Sequence, residues 1–425
     1  MRYKLKLLAV LIPISLCSCF YLNLILTGAI RDGSPIRQRL QRHPTLNSSR
    51  PGRDGHPFCS PLGSVYTNPK WDFRRFTRPQ FLSSYKNPCF LGRQTKDNVT
   101  KSVGRVLHCL PYFLVAGFPK AGTTDLWQRL SHHPEIMLKH RKEPNFLNLG
   151  RFRGPFEVIT MMYMRLLGKS AVELQRLVAP LDCGHPFPYH HGITGEATVD
   201  AAFSMGSWRA TPGNENCSEP RVTNAQYAAQ LNPGLKVLFL TRDPVERIYS
   251  DYIYEARFLR YPTSPQLFHK AVTRAIKMHN DCRKHSSLRA CAYNNTLENY
   301  QARVRVGLYH VYIRDWIETF SRAQVLVVRS EDTIALDTRE HEYNRMLKFL
   351  DVRPFTRNEQ AVVFNLKPSN ARRQKEIEQG DMLPATRRLL EDFYRPHNAE
   401  LHEMFPEIDY LYNDVPGTTA EYTAK

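Results

Sequence analysis

The stretch PYFLVAGFPKAGTTDLW, Pro111 to Trp127, decides the fold. Its first part, PYFLVAG (Pro111–Gly117), is a continuous apolar run without polar alternation, as expected of a strand buried on both faces. FPKAGTT (Phe118–Thr124) follows as a Gly/Thr turn, and a helix-like segment begins at Thr124. A turn between a buried strand and a helix presents backbone N–H groups at the positive end of the helix, where a phosphate binds. Gly122 lets the backbone approach closely, Thr123 and Thr124 add hydroxyl donors, and Lys120 adds a cation, with Ala121 between them. The pattern is not the G-x-x-x-x-G-K-[ST] loop, because the lysine precedes Gly122 by two residues instead of following a second glycine. An ordinary strand-to-helix turn would not need Lys, Gly and two Thr together.

Working outward, LKVLFLT (Leu235–Thr241) and QVLVVR (Gln324–Arg329) read as two more buried strands, and ITGEA (Ile193–Ala197) as a shorter one. After LKVLFLT, apolar residues recur at Val245, Ile248, Tyr249, Tyr252, Ile253 and Ala256, the stripe of an amphipathic helix. Asp243 and Pro244 supply its N-cap and first-turn proline. A further helix-like stretch runs from Tyr309 to Phe320. Buried strands alternating with amphipathic helices specify an α/β fold with a central parallel sheet flanked by helices. Arg242 emerges at the carboxyl edge of its strand, where open α/β sheets bind ligands. With Ser250 on the helix that follows, it forms a fitting second phosphate site, a bidentate cation beside a hydroxyl.

The flanks place the domain. Leu7 to Ile30 is 24 residues without a charge, preceded by Arg2, Lys4 and Lys6. That is long enough to cross a bilayer, and the positive-inside rule sends the rest of the chain into the lumen. A cleaved signal peptide is the alternative reading, with the same topological result. The expected organisation is a cytoplasmic tail (1–6), a signal-anchor (7–30), a Pro/Arg/Ser/Gly-rich stem (31–107), one lumenal α/β domain (108–410) and a C-terminal tail (411–425). Sequons at Asn47, Asn98, Asn216 and Asn294 fit a lumenal glycoprotein. So do seven cysteines beyond the anchor (Cys59, Cys89, Cys109, Cys183, Cys217, Cys282 and Cys291), whose spacing fits disulfides, not zinc. Cys282 and Cys291 are near enough in sequence to close a small loop, and the odd count leaves at least one thiol free or paired between chains.

The chain has 59 Lys+Arg against 40 Asp+Glu, a net charge of +19, with 42% hydrophobic and 11% aromatic residues. This composition excludes a multi-span membrane protein and a mainly disordered chain. The charge calls for anionic partners. A lumenal location removes nucleic acid from that set, which otherwise holds phospholipid, a nucleotide and an acidic polysaccharide.

PKxGTT after the first strand and the later RDPxxRxYSxY resemble the 5′- and 3′-phosphate motifs of sulfotransferases that use 3′-phosphoadenosine 5′-phosphosulfate (PAPS). KEPNF (Lys142–Phe146), GLYHVYIRDWIETF (Gly307–Phe320) and RSED (Arg329–Asp332) are similar to stretches of the Golgi carbohydrate sulfotransferases. SLRACAYNNTL (Ser287–Leu297), SNARR (Ser369–Arg373) and LLEDFYRPHNAEL (Leu389–Leu401) resemble, within that family, the enzymes that 6-O-sulfate N-acetylgalactosamine 4-sulfate in chondroitin. The likeness covers nearly all of residues 109–405 and fades in the stem. It departs from the family at Ala121, where Cys or Ser is frequent.

The resemblance implies a P-loop-like sulfotransferase fold and in-line transfer of sulfate from PAPS to a glycosaminoglycan hydroxyl, most narrowly the 6-OH of GalNAc 4-sulfate in chondroitin or dermatan sulfate. Lys120 would stabilise the leaving phosphate. Glu143 matches the carboxylate that takes the hydroxyl proton, with His140 the competing base and Lys142 beside both. Arg372 and Arg373 would meet the cofactor phosphates or the sulfated sugar, and Glu196 would orient the sugar. The paired histidines diverge and have no third ligand, so no metal is expected. Two other readings stay open at this point: a heparan sulfate or uronyl O-sulfotransferase on the same fold, and a non-catalytic lumenal protein that binds anionic polysaccharide.

Overall fold

The computed structural model describes residues 76–93, 105–179, 188–297, 301–369 and 378–412, together with Cys59 and Phe73. The anchor and tail at 1–30, the sequons Asn47 and Asn98, Cys183, and Arg372 and Arg373 lie outside the described residues. No helix among the described residues is long and apolar enough to cross a membrane.

The described residues hold six strands: β1 (Cys89–Arg93), β2 (Arg105–Cys109), β3 (Phe113–Gly117), β4 (Gly195–Glu196), β5 (Lys236–Thr241) and β6 (Val325–Arg329). β3 to β6 form one four-stranded sheet in the order β4-β3-β5-β6, and every pairing is parallel. All four carboxyl ends therefore open on one edge, as the apolar runs led us to expect. Side-chain alternation divides the core into two layers. Val237 and Phe239 face one cluster with Phe118, Tyr312 and Trp316, while Leu238 and Leu240 face the other with Leu126, Met346 and Leu347. Both faces are covered by helices.

The principal helices are α1 (Thr123–Leu130), α2 (Phe156–Leu166), α3 (Gly168–Arg176), α4 (Asn224–Leu231), α5 (Pro244–Leu259), α6 (Pro265–Arg283), α7 (Leu288–Ala292), α8 (Tyr309–Phe320), α9 (Arg339–Phe349), α10 (Arg357–Phe364) and α11 (Pro384–Met404). On α5 the expected stripe is buried at Val245, Ile248, Tyr249, Tyr252 and Ile253, and the Asp243 carboxylate caps it by accepting from the Val245 N–H at 2.9 Å. α8 begins and ends where its apolar period does, at Tyr309 and Phe320.

Part of the stretch assigned to the stem is built onto the domain. β1 pairs antiparallel with β2 through five registered residues, and the Cys89–Cys109 disulfide closes the pair. Arg78 donates to the backbone carbonyls of Ala229 and Gln230, and Phe73 stacks on Tyr227 at 4.1 Å. Each strand has only five residues and sits in polar, proline-rich sequence, so neither shows a sustained period. Two other disulfides join Cys59 to Cys217 and Cys282 to Cys291, the second as the sequence spacing suggested.

Candidate active site

The loop after β3 is anchored by its own first residue. Phe118 is fully buried among Phe203, Phe239, Tyr309 and Tyr312. From there the backbone takes left-handed conformations at Lys120 (φ 67°) and Gly122 (φ 81°). For Lys120 that conformation is unfavourable by itself and is held by its surroundings, since Arg242 Nη1 donates to the Lys120 carbonyl at 3.3 Å. Gly122 is the N-cap of α1, and no side chain caps the helix. The first-turn N–H groups of α1 thus have no side-chain cap among the described residues. Thr123 is buried, Thr124 half-buried and Gly122 exposed, a cradle whose base is protein and whose mouth is open. A Cβ on Gly122 would lie 3.9 Å from that of Ser330, which places the RSED segment after β6 against the loop. Uncapped helix N–H groups, two threonines and two cations suit the phosphates of a nucleotide.

Arg242 follows directly on β5, as expected at the carboxyl edge, and its carbonyl accepts from the Tyr309 hydroxyl at 2.9 Å. The next N–H, that of Asp243, donates to Glu331 Oε1 at 2.9 Å, tying the ends of β5 and β6 together. Burial raises the Asp243 carboxyl to about 7 and pushes Glu331 up as well, although Arg242 and Arg329 draw Glu331 back. Ser250 lies half-buried on α5, two turns beyond Arg242.

The KEPNF segment closes the opposite side. The Lys142 carbonyl accepts from the Ala197 N–H at 2.9 Å, and the Asn145 N–H donates to Thr198 Oγ1 at 3.2 Å, so the segment is fastened to the chain leaving β4. Lys142 Nζ pairs with Glu143 and lies 3.5 Å from Thr123 Oγ1, which brings the carboxylate to the phosphate loop. The Glu143 side chain is 37% exposed and accessible to a substrate.

Two expectations change here. His140 Nδ1 is 2.9 Å from Ser170 Oγ on α3, its ring packs edge-on against Trp127, and burial lowers its pKa to about 4. These contacts hold it as a structural side chain against Ser170 and Trp127. Glu196 was expected at the sugar, but it is 1% exposed. Its Oε2 accepts from Thr198 Oγ1 at 2.9 Å, the hydroxyl that in turn holds Asn145. Burial raises its carboxyl to about 7. Glu196 therefore supports the segment that carries Glu143 and cannot touch an acceptor.

Of the two described sequons, Asn216 is exposed, whereas Asn294 Oδ1 accepts from Thr296 Oγ1 at 2.7 Å within its own turn. No group of three metal-ligating side chains occurs among the described residues. Sequence reasoning missed Tyr254, whose ring lies under Lys120 Nζ at 4.0 Å from the centroid. The available signal was an aromatic residue outside the buried stripe of α5.

The profile of a sulfotransferase domain matches residues 110–388. Human carbohydrate sulfotransferase 15 is 34% identical over 318 residues, covering 72% of this chain and 55% of that protein. The rat protein of the same name is 32% identical over 361 residues, covering 80% of this chain and 63% of that one. The chain thus aligns with little more than half the length of these relatives. A sulfotransferase crystal structure from Alicyclobacillus acidocaldarius aligns at TM-score 0.41 and 23% identity, over 72% of this chain and 97% of that one.

Proposed function

Since the chain belongs to the sulfotransferase-domain family, we propose that it transfers sulfate from PAPS to a sugar hydroxyl of a glycosaminoglycan, the 6-OH of GalNAc 4-sulfate in chondroitin or dermatan sulfate. The observation that carries this reading is the convergence on one sheet edge of a phosphate cradle, the cations Lys120 and Arg242, and an accessible carboxylate, Glu143. The likeness to proteins named carbohydrate sulfotransferase 15 supports a carbohydrate acceptor.

PAPS supplies the activated sulfuryl group. The α1 N–H groups, Thr123 and Thr124 hold its 5′-phosphate, and Arg242 with Ser250 holds the 3′-phosphate. Glu143 takes the proton of the acceptor hydroxyl as its oxygen bonds to sulfur, and Lys120 offsets the charge left on the departing phosphate oxygen. Lys142 Nζ is paired with Glu143 beside the phosphate loop. In this reading the chain sits in the Golgi membrane through residues 7–30, with its domain in the lumen.

The test is incubation of the full-length protein with radiolabelled PAPS and chondroitin sulfate, followed by disaccharide analysis. A disulfated galactosamine unit is expected. A labelled glucosamine or uronate would assign a different acceptor, and unlabelled polymer with wild-type protein would overturn the reading. Glu143→Gln is expected to lower kcat by about 100-fold or more while nucleotide affinity is kept.

A further inference from the structure

Two stripes run along α5. The buried one carries Val245, Ile248, Tyr249, Tyr252 and Ile253. On the opposite face Ser250, Tyr254, Arg257 and Phe258 recur at i, i+4, i+7 and i+8. Along this face Ser250 and Tyr254 are half-buried, whereas Arg257 and Phe258 are exposed. Its inner part belongs to the site, since Lys120 Nζ lies 4.0 Å from the centre of the Tyr254 ring. Burial raises the Tyr254 pKa and the charge of Glu143 raises it further, so the ring also lies within the field of that carboxylate. Its outer part is Phe258, whose ring centroid is 4.9 Å from that of Tyr254 and which remains 61% exposed. Phe258 therefore stands one ring beyond the contact with Lys120, within a disaccharide's length of the ammonium.

A single exposed apolar side chain is ordinary on a protein surface. Phe258 differs in its surroundings, because it continues the site and has cations on either side. The Arg257 guanidinium is 5.5 Å from the Tyr254 ring, and Arg260, two residues after Phe258, is exposed. Glu255, the carboxylate of this turn, is paired with Arg303 at 3.1 Å. The shelf is thus aromatic and positively charged. Both properties suit a sulfated sugar polymer: a pyranose lays a face of C–H bonds flat on an aromatic ring, while sulfates and carboxylates project from its rim toward cations. We propose that the outer face of α5 is a subsite for the glycosaminoglycan acceptor, in which the Phe258 ring stacks on a sugar next to the one that receives sulfate. This rests on the sulfate-transfer reading. Phe258 touches neither the nucleotide nor the reacting hydroxyl, and it selects a polymer over a single sugar.

The experiment compares wild type, Phe258→Ala and Phe258→Trp in the full-length protein. Transfer from PAPS is measured to a chondroitin 4-sulfate hexasaccharide and to the methyl glycoside of GalNAc 4-sulfate, which has no neighbouring sugar. Binding of the same hexasaccharide is measured by calorimetry with adenosine 3′,5′-bisphosphate present, and mass in solution by light scattering. In Phe258→Ala the kcat/KM preference for the hexasaccharide over the single sugar is expected to fall about tenfold, through KM, and hexasaccharide affinity to fall about tenfold with it. Phe258→Trp, which keeps an aromatic face, is expected to stay within about threefold of wild type. Wild-type preference and affinity in Phe258→Ala would overturn the proposal. So would an equal loss on both acceptors, which would place the ring at the reacting sugar. A smaller mass in solution with hexasaccharide affinity kept would make the ring a contact between copies and overturn it too. A Phe258→Trp protein as impaired as Phe258→Ala would exclude stacking. If wild type transfers no sulfate while hexasaccharide affinity still drops in Phe258→Ala, the sulfate-transfer reading fails and the subsite stands.

Discussion

Lys120 and Arg242 are the residues on which the site converges, one supplying the ammonium and the other pinning the loop carbonyl beside it. Lys120→Ala and Arg242→Ala are each expected to lower kcat/KM for sulfate transfer by roughly 100- to 1,000-fold, as when a preorganised donor is removed from developing charge. Wild-type rates in both variants would remove them from the chemistry. Their places at the sheet edge were legible because each follows closely on a strand end. Glu196 was not, since nothing in GEATVD says whether the carboxylate points out to a sugar or in toward Thr198. Its burial has a measurable consequence. The folded state keeps its carboxyl protonated up to about pH 7, whereas the unfolded chain releases the proton near the ordinary value of 4.5. The fold therefore binds more protons than the unfolded chain between those values, and Glu196 weakens it as the pH rises through that window. Thermal unfolding of Glu196→Gln is expected to show a gain over wild type at pH 7.5 that shrinks toward pH 4.5. A gain independent of pH would show that the buried charge is not the cause.

At the scale of elements, α5 shows where sequence reading reaches and where it stops. Its apolar stripe, cap and first-turn proline follow from local rules. Its buried polar side does not, because the partner comes from 52 residues further on. Asp251, 2% exposed, accepts from Arg303 Nε at 2.8 Å and from Arg247 Nη1 at 3.2 Å. Burial alone would raise its pKa, yet the two guanidiniums outweigh burial and hold it below the ordinary carboxylate range. The pair's contribution is thus present above about pH 4 and is lost as the pH falls further. Asp251→Asn leaves the buried Arg247 guanidinium without the carboxylate it pairs with and Arg303 with Glu255 at 3.1 Å, and a loss of about 3–5 kcal/mol is expected in denaturant unfolding at pH 7. A loss below about 1 kcal/mol would mean that water or another carboxylate replaces Asp251. The β1–β2 pair marks the opposite case, since strands of five residues carry too short a period to stand out from polar surroundings.

Across the whole molecule, the parallel order of the sheet was legible because strands buried on both faces have to be apolar throughout. The point at which the domain begins was not, because a cross-link and a few packed aromatics fix it. Cys59 and Cys217 are 158 residues apart in sequence, whereas Cys282 and Cys291 are nine apart. On loop-closure entropy, replacing the first pair with alanine is expected to cost about 5 kcal/mol and replacing the second about 2.5 kcal/mol, measured under non-reducing conditions. Equal losses would show that local strain, not chain entropy, governs both.

The Cys59–Cys217 bond also sets a mechanical limit. If residues 7–30 are held in a bilayer, the leash between membrane and enzyme is the 28 residues 31–58, not the 77 from 31 to 107. Its full reach is about 100 Å, against about 270 Å for the longer stretch. Opening that single bond would pay out slack up to the residues packed near Phe73 and, on the proposed function, widen the shell of polymer that the sheet edge can sweep, with no change to the edge itself.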